Sequence, residues 1–329
     1  MKILIVNKDE VRQLLLMDDC MDIMTEALIT LSKGEGGNPL RQSMFLPEKK
    51  GLLGIMPGFL NDPQAMGAKI VSVMPHNYGT KYDSHQGVVL LFDIEHGILL
   101  GVMEASEITA IRTAAVSGVA TRLLARPDAS DLTIIGSGVQ AASHLEAMLL
   151  VRPIDRIRVW SKTEMNAQLF SERESAKYGR HIEIMPTVQE AVEGADIICS
   201  TTMATHPIIM GDWLSPGVHI NAVGSSIKST RELDTRAVVK SRLFVDRRES
   251  TLNEAGDILF PIAEGAISKD HIQGEIGELL LEEVEGRNNK EDITLFKSLG
   301  LAVEDVASAY HIYEKAQHSN VGTLIDWIS

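Results

Sequence analysis

Residues 132–145 read LTIIGSGVQAASHL. A short β-branched run leads into Gly136, Gly138 and Ala141, and apolar residues then recur at helical spacing. A strand, a tight glycine turn and a helix that receives a diphosphate are written this way. Gly136 permits the turn, Gly138 lets a pyrophosphate approach the backbone, and Ala141 lets the helix lie close to the strand. The amino end of that helix carries about half a positive charge, which favours phosphate there. Gly-x-Gly-x-x-Ala alone also occurs in structural turns. Its place after a buried strand, before a helix and within an alternating run of both, points to nucleotide binding.

Downstream the alternation continues. RIRVW precedes a helix from Thr163, IEIMP precedes a helix from Thr187, and ADIICST, VHINAVG and RLFVD follow as short buried strands. Strands alternating with helices pair in parallel through right-handed crossovers. Residues 113–297 are therefore expected to form an α/β domain, a Rossmann-type doubly wound parallel sheet. The second strand, RIRVW, ends in Ser161, Lys162 and Thr163. An acidic residue at this position would bind ribose hydroxyls and repel a 2′-phosphate, whereas hydroxyls and an ammonium can hold one. NADP(H) is thus favoured as the cofactor, and Glu164 leaves NAD(H) open.

Upstream the text differs. After the strand-like ILIV, Asp18 or Asp19 is expected to cap a helix that stops at Gly34. Between residues 40 and 105, RQSMFLP, LLGIMPGFL, AMGAKIVSVMP, GVVLLFDI and ILLGVMEA read as strands of a mostly antiparallel sheet, with EHG as a hairpin turn. Ser106 begins an alanine-rich helix. From Asp292, DITLFKSLGLAVEDVASAYHIYEKA offers a strand-like piece and an amphipathic helix, and this tail is expected to return to the first domain. The expected organisation is an α+β domain over 1–112, completed by 298–329, and the nucleotide domain over 113–297.

With 329 residues, two cores are expected. A formal charge of −14 disfavours nucleic acid and anionic membrane surfaces as partners. No apolar run approaches the roughly 18 residues of a membrane span, and MKILIVNKDE is too short for a secretory core, so the cytoplasm is the expected location. Cys20 and Cys199 read as reduced, half-buried side chains, and no metal-ligand spacing is present.

Three cations stand in apolar surroundings: Arg41 in RQSMF, Lys69 in GAKIVSV and Arg112 in TAIRTAA. Burying them unpaired costs several kcal/mol. They need either an internal carboxylate, such as Glu104 or Glu107, or the carboxylate of a substrate, which arginine can grip bidentately.

The chain resembles the ornithine cyclodeaminase and mu-crystallin family over nearly its whole length, in GIMPGF, GAKIVSVMPHN, SHQGVVLLFD, EITAIRTAAVSGVATRLLA, IIGSGVQAASHLEAM, INAVGS followed by RELD, and ITLFKSLGLAVEDVASA. The resemblance implies a homodimer whose early residues and tail form a dimerisation and substrate domain. It also implies that Arg41, Lys69 and Arg112 clamp the carboxylate of an imino or amino acid, with Ser84 near nicotinamide and substrate. Thr113, Val139 and Gln140 match cofactor-lining positions of the family, as do Gly136 and Gly138. Ser161, Lys162 and Thr163 match further ones, and so do Thr201, Thr202, Met203, Val223 and Gly224.

Departures narrow the chemistry. Cyclodeaminases of this family carry an acid two residues before the Met of the MP segment and another two residues after the glycine matching Gly224; this chain has Gly54 and Ser226. Neither can accept the proton that amine attack releases. The expected reaction is therefore NADPH-dependent hydride transfer to the C=N of a preformed cyclic 2-carboxy imine, giving L-proline or L-pipecolate. Lys69, or a water near Ser84, would relay the proton, His85 is a further candidate relay, and Met56 and Val73 would wall the ring. An NAD(P)-dependent amino-acid dehydrogenase, a cyclodeaminase and a non-catalytic ligand-binding protein stand as alternatives.

Overall fold

The computed structural model describes residues 2–77 and 79–327, apart from the Lys49 side chain. The chain divides into two units, one running up to Arg112 and resuming at Gly300, the other spanning Thr113–Leu299.

In the second unit eight strands form an all-parallel sheet. Their order is Ile182–Ile184, Arg156–Trp160, Asp131–Ile135, Ile197–Ser200, His219–Ala222, Ile293–Lys297, Ser241–Val245 and Ile272–Glu275. Leu132, Ile134, Ile135, Ile197, Ile198, Ile220 and Leu295 are all fully buried, as strands covered on both faces require. The expected α/β class holds. One placement differs from the sequence reading of the tail: Ile293–Lys297 is a central strand, between His219–Ala222 and Ser241–Val245. Leu295 and Phe296 point to opposite faces of the strand and both are fully buried, as an interior strand of a sheet covered on both faces allows.

In the first unit the sheet order is Thr323–Asp326, Lys2–Val6, Leu99–Glu104, His85–Phe92, Ala65–Val73, Leu52–Leu60 and Gly36–Gly37, with Gln42–Phe45 also paired to Leu52–Leu60. The pairing is antiparallel except between Lys2–Val6 and Leu99–Glu104. Two helices, Met17–Ser32 and Ala302–Ser319, pack together, and the second also lies on the sheet. The first begins at Met17, with Leu16 as a cap that makes no side-chain bond. Asp18 and Asp19 are therefore first-turn residues, favoured by the helix dipole, and not the expected caps.

The helix Ala302–Ser319 reaches the sheet where Gly58 and Gly67 face each other across two strands. A Cβ on Gly58 would lie 3.1 Å from the Ala302 Cβ, and one on Gly67 3.2 Å from Val306 Cγ2. This paired absence of side chains lowers the first turn of the helix onto the sheet, beside the next inward-facing pair, Met56 and Lys69.

Candidate active site and nucleotide-binding edge

The turn after Asp131–Ile135 is built as its sequence demands. Gly136 has φ +117°, and a Cβ there would lie 2.7 Å from Thr201 Oγ1. Gly138 caps the helix Val139–Val151 without a side-chain bond, and nothing lies within 4 Å of where its Cβ would be. The first N–H groups of that helix thus open onto a bare cradle suited to a diphosphate. Ser137 Oγ and Ser161 Oγ are 2.8 Å apart at its side.

Ser161, Lys162 and Thr163 follow the strand Arg156–Trp160, with the last two exposed. Thr201, Thr202 and Met203 follow Ile197–Ser200, and Met203 is exposed. Val223 and Gly224 follow His219–Ala222. These strands and Asp131–Ile135 are consecutive neighbours in the sheet, so the four turns share its carboxyl edge, where open parallel sheets bind ligands. Val139 and Gln140 begin the helix, and Thr113 is buried in the helix Ala105–Leu124. The residues present fit a dinucleotide, with Lys162 at the end of the second strand.

Sequence reading missed the residue that joins two of these turns. Glu232, fully buried, accepts from Ser200 Oγ at 2.7 Å and from Thr202 N and Oγ1 at 2.8 and 2.7 Å through one oxygen. Its other oxygen accepts from Gly224 N at 2.8 Å and Ser225 N at 3.3 Å. Burial pushes its carboxyl above the usual range and the charge of Asp257 adds to this, while Lys297 opposes them. The only signal was an acid two residues past a Gly- and Ser-rich turn, in RELD, which resembles any surface acid.

The three cations lie in the first unit. Lys69 and Arg112 are buried, and Arg41 is half-buried. Lys69 Nζ stands 2.8 Å from Asp305 Oδ2 and 3.3 Å from Thr109 Oγ1. Arg112 donates from Nε to Asp305 Oδ1 at 2.9 Å and from Nη1 to Glu304 Oε2 at 2.8 Å. Arg41 Nη2 points at the Gly300 carbonyl, 3.4 Å away. Arg41 and Arg112 both lower the pKa of Lys69, so the three charges are neighbours.

This corrects the counterion expectation. Neither suggested acid serves: Glu104 accepts from the backbone N–H groups of Ser106 and Glu107, and Glu107 forms a two-bond pair with Arg12 at 2.8 and 3.0 Å. The acids are Glu304 and Asp305, from the first turn of Ala302–Ser319. Asp305 thus meets both Lys69 and Arg112, and Glu304 meets Arg112. Burial above all, then Arg112, lowers Lys69 to about 8, against the pull of Asp305.

Met56 is the cross-strand partner of Lys69 and is buried; Val73 pairs with His85. Ser84 Oγ lies 3.0 Å from His85 Nδ1. Burial and the charge of Lys69 hold His85 below the ordinary histidine value.

The model of the ornithine cyclodeaminase/mu-crystallin family matches residues 1–320. A Δ1-pyrroline-2-carboxylate reductase of Bacillus thuringiensis subsp. konkukian is 38% identical over 325 residues, 98% of this chain and 100% of the relative. The solved Δ1-pyrroline-2-carboxylate reductase of Thermococcus litoralis, in complex with NADH and L-proline, superposes with a TM-score of 0.95 at 40% identity, over 98% of this chain and 99% of that one. An archaeal alanine dehydrogenase dimer with bound NAD gives 0.94 at 31% identity, with complete coverage of both chains. With its nucleotide edge and its cluster of buried cations, this chain belongs to the ornithine cyclodeaminase/mu-crystallin family and is an NAD(P)-dependent oxidoreductase.

Proposed function

We propose that the protein reduces the C=N bond of a cyclic 2-carboxy imine, Δ1-pyrroline-2-carboxylate or Δ1-piperideine-2-carboxylate, to L-proline or L-pipecolate, with NADPH preferred. The observation that carries this is the convergence of three cations, Arg41, Lys69 and Arg112, the last two buried, on one place where a substrate carboxylate can be gripped. When bound, the dihydronicotinamide supplies the hydride.

The chain's own residues supply the rest. Arg41, Lys69 and Arg112 hold the carboxylate and so fix the imine carbon in an attack geometry. Lys69, poised near 8, gives a proton to the imine nitrogen, directly or through a water near Ser84, and the product leaves as the amine. Met56 and Val73 exclude water from the ring. Gly54 and Ser226 offer no acid to free an amine for cyclisation, so a ready-made imine is the substrate this site can use.

The preference for NADPH follows from Lys162, exposed at the end of the second strand and flanked by hydroxyls, where a 2′-phosphate would sit. The protein is read as a homodimer. The sheet face turned away from Ala302–Ser319 carries Ile55, Ile70 and Val88 in one register row and Phe59, Met66 and Phe92 in another. Ile55 is 39% and Phe59 42% exposed, and on the adjacent edge strand Met44 and Phe45 are more exposed still. Contiguous apolar sheet faces of this kind are covered by a partner, here a second copy.

The test is NADPH consumption, followed by absorbance, across both cyclic imines, beside ornithine, alanine and arginine with NAD. Turnover with an imine is expected. Ammonia release from ornithine, or turnover with an amino acid alone, would replace this reading with the corresponding alternative. Tight NADPH binding without turnover on any of them would leave a ligand-binding protein.

A further inference from the structure

We propose that Glu232 is a positioning residue for hydride transfer: it locks the two turns that receive the nicotinamide half of the cofactor into one rigid wall before any nucleotide binds. The role concerns transfer to or from whatever substrate is turned over, and so goes beyond the imine reading.

The strand Asp131–Ile135, whose turn takes the diphosphate, divides the edge in two. Arg156–Trp160 on one side leads to the 2′ position, so the turns after Ile197–Ser200 and His219–Ala222 on the other side fall to the nicotinamide half. Residues 201–203 and 223–225 lie outside any strand or helix. Their backbones meet at Gly224, where a Cβ would lie 2.1 Å from the Thr202 carbonyl oxygen and 2.6 Å from Glu232 Oε1. Three of the five donors to Glu232 are the N–H groups of Thr202, Gly224 and Ser225, which can only donate. A carboxylate is the one side chain of this length that accepts on both oxygens, one for each turn.

The anchor is itself held. The N–H groups of Glu232 and Leu233 donate to Asp257 Oδ1 at 2.8 and 3.0 Å, and Asp257 Oδ2 stands 3.1 Å from Lys297 Nζ. Lys297 donates in turn to the carbonyls of Ala222 and Ser225. The contacts thus run from the Ser225 carbonyl through Lys297, Asp257 and Glu232 back to the Ser225 N–H, a closed ring with all three charged side chains fully buried. The Glu232 carbonyl also accepts from Ile208 and Ile209 N–H at 2.8 and 3.0 Å, so one residue holds both ends of the stretch that carries the exposed Met203. A hydride donor misplaced by about 1 Å can lose about a hundredfold in rate, and a wall of two free loops would allow such a shift.

Amide exchange and transient kinetics test this. In the nucleotide-free wild type the Thr202 and Ser225 amides are expected to exchange at least about a hundredfold more slowly than in an unstructured chain, and NADPH to change them less than about threefold. Gly224 N, which also reaches the Ser200 carbonyl at 3.1 Å, is the less telling amide. Free exchange that only NADPH suppresses would mean that the cofactor orders the turns, and overturns the proposal without any variant.

Glu232→Gln keeps the shape and one acceptor oxygen, but its NH2 must face either the Thr202 N–H or those of Gly224 and Ser225. One turn is released, and its amide should exchange at least about tenfold faster. The single-turnover change in NAD(P)H absorbance at saturating substrate should slow about a hundredfold, with the NADPH Kd within about threefold of wild type. Ser200→Ala takes a hydroxyl from the same carboxylate and frees no backbone N–H, so it should lower Tm and keep the rate within about twofold. A wild-type rate in folded Glu232→Gln overturns the positioning role. So does a slowing matched by an equal weakening of NADPH binding, or one that Ser200→Ala reproduces. If Glu232→Gln does not fold, the wild-type exchange decides alone. Turnover of an amino acid in place of an imine would replace the substrate reading and leave this test intact with that substrate.

Discussion

Asp305 Oδ2 lies 2.8 Å from Lys69 Nζ, with both side chains buried. The lysine comes from a sheet strand and the acid from the helix laid across it, so the ionisation of Lys69 depends on how two distant segments pack. Burial, Arg112 and Arg41 favour the neutral amine, and Asp305 favours the ammonium.

In the proposed reaction Lys69 acts as the ammonium, both to bind and to donate. kcat/KM for the imine is therefore expected to be full below about pH 8 and to fall as pH rises through that value. Asp305→Asn removes the influence that holds the pKa up, so the alkaline limb should move to lower pH. Burial and the charge of Lys69 hold His85 below its ordinary value, so the limb near pH 8 is not its own. A pH–rate profile of the two proteins decides; a limb that stays in place in Asp305→Asn would assign it to another group.

Arg41 and Arg112 should separate binding from stability. Arg41→Ala is expected to lower kcat/KM roughly ten- to a hundredfold, the worth of a charge-assisted hydrogen bond, with Tm and NADPH Kd nearly unchanged. Arg112→Ala also leaves Glu304 and Asp305 buried without the guanidinium both accept from, at a cost of about 3–5 kcal/mol. Thermal denaturation beside steady-state kinetics checks both. An Arg112→Ala protein of unaltered Tm would mean that the acids do not depend on this arginine.

Lys162→Ala should raise the Kd for NADPH about tenfold and leave that for NADH unchanged, because only the 2′-phosphate would meet the ammonium. Fluorescence titration of both nucleotides measures the difference. Equal affinities for NADPH before and after the change would give the second-strand position no part in cofactor choice.

The residues legible in the sequence were those whose neighbours in the chain are also their neighbours in space. LTIIGSGVQ declares its strand, turn and helix within nine residues, and Lys69 and Arg112 betray themselves as charges among Ile, Val and Ala. Glu304 and Asp305 are 192 and 193 residues from Arg112, and in LAVEDVASA they pass for first-turn acids that any helix dipole would favour. Nothing local says that a paired Gly58 and Gly67 will bury them. The strand Ile293–Lys297 has a recognisable pattern, yet its insertion between two earlier strands is a matter of topology, which its own residues do not encode. Asn7 and Glu10 form a capping box for the helix Lys8–Leu14, written in NKDE, but a helix of two turns holds too few apolar positions for its period to show.

The second unit carries an acid-sensitive element of its own. His144 is fully buried; its Nδ1 lies 2.7 Å from the Gln140 carbonyl, which can only accept, so Nε2 accepts from Ser117 Oγ at 2.9 Å. Burial lowers its pKa from 6.5 to about 4. The unfolded chain therefore takes up this proton first, and the stability gained by keeping the ring neutral is fully present above 6.5 and lost as pH falls towards 4. The loss approaches about 3 kcal/mol at the low end of that window. His219, lowered to about 3 chiefly by burial, adds to the slope with the same sign. Urea denaturation between pH 7.5 and about 5 should show the midpoint falling with pH. In His144→Gln, whose side chain can still donate and accept but cannot charge, the fall should be shallower and the His219 share should remain. A slope identical in the two proteins would show that the imidazole of His144 titrates alike folded and unfolded.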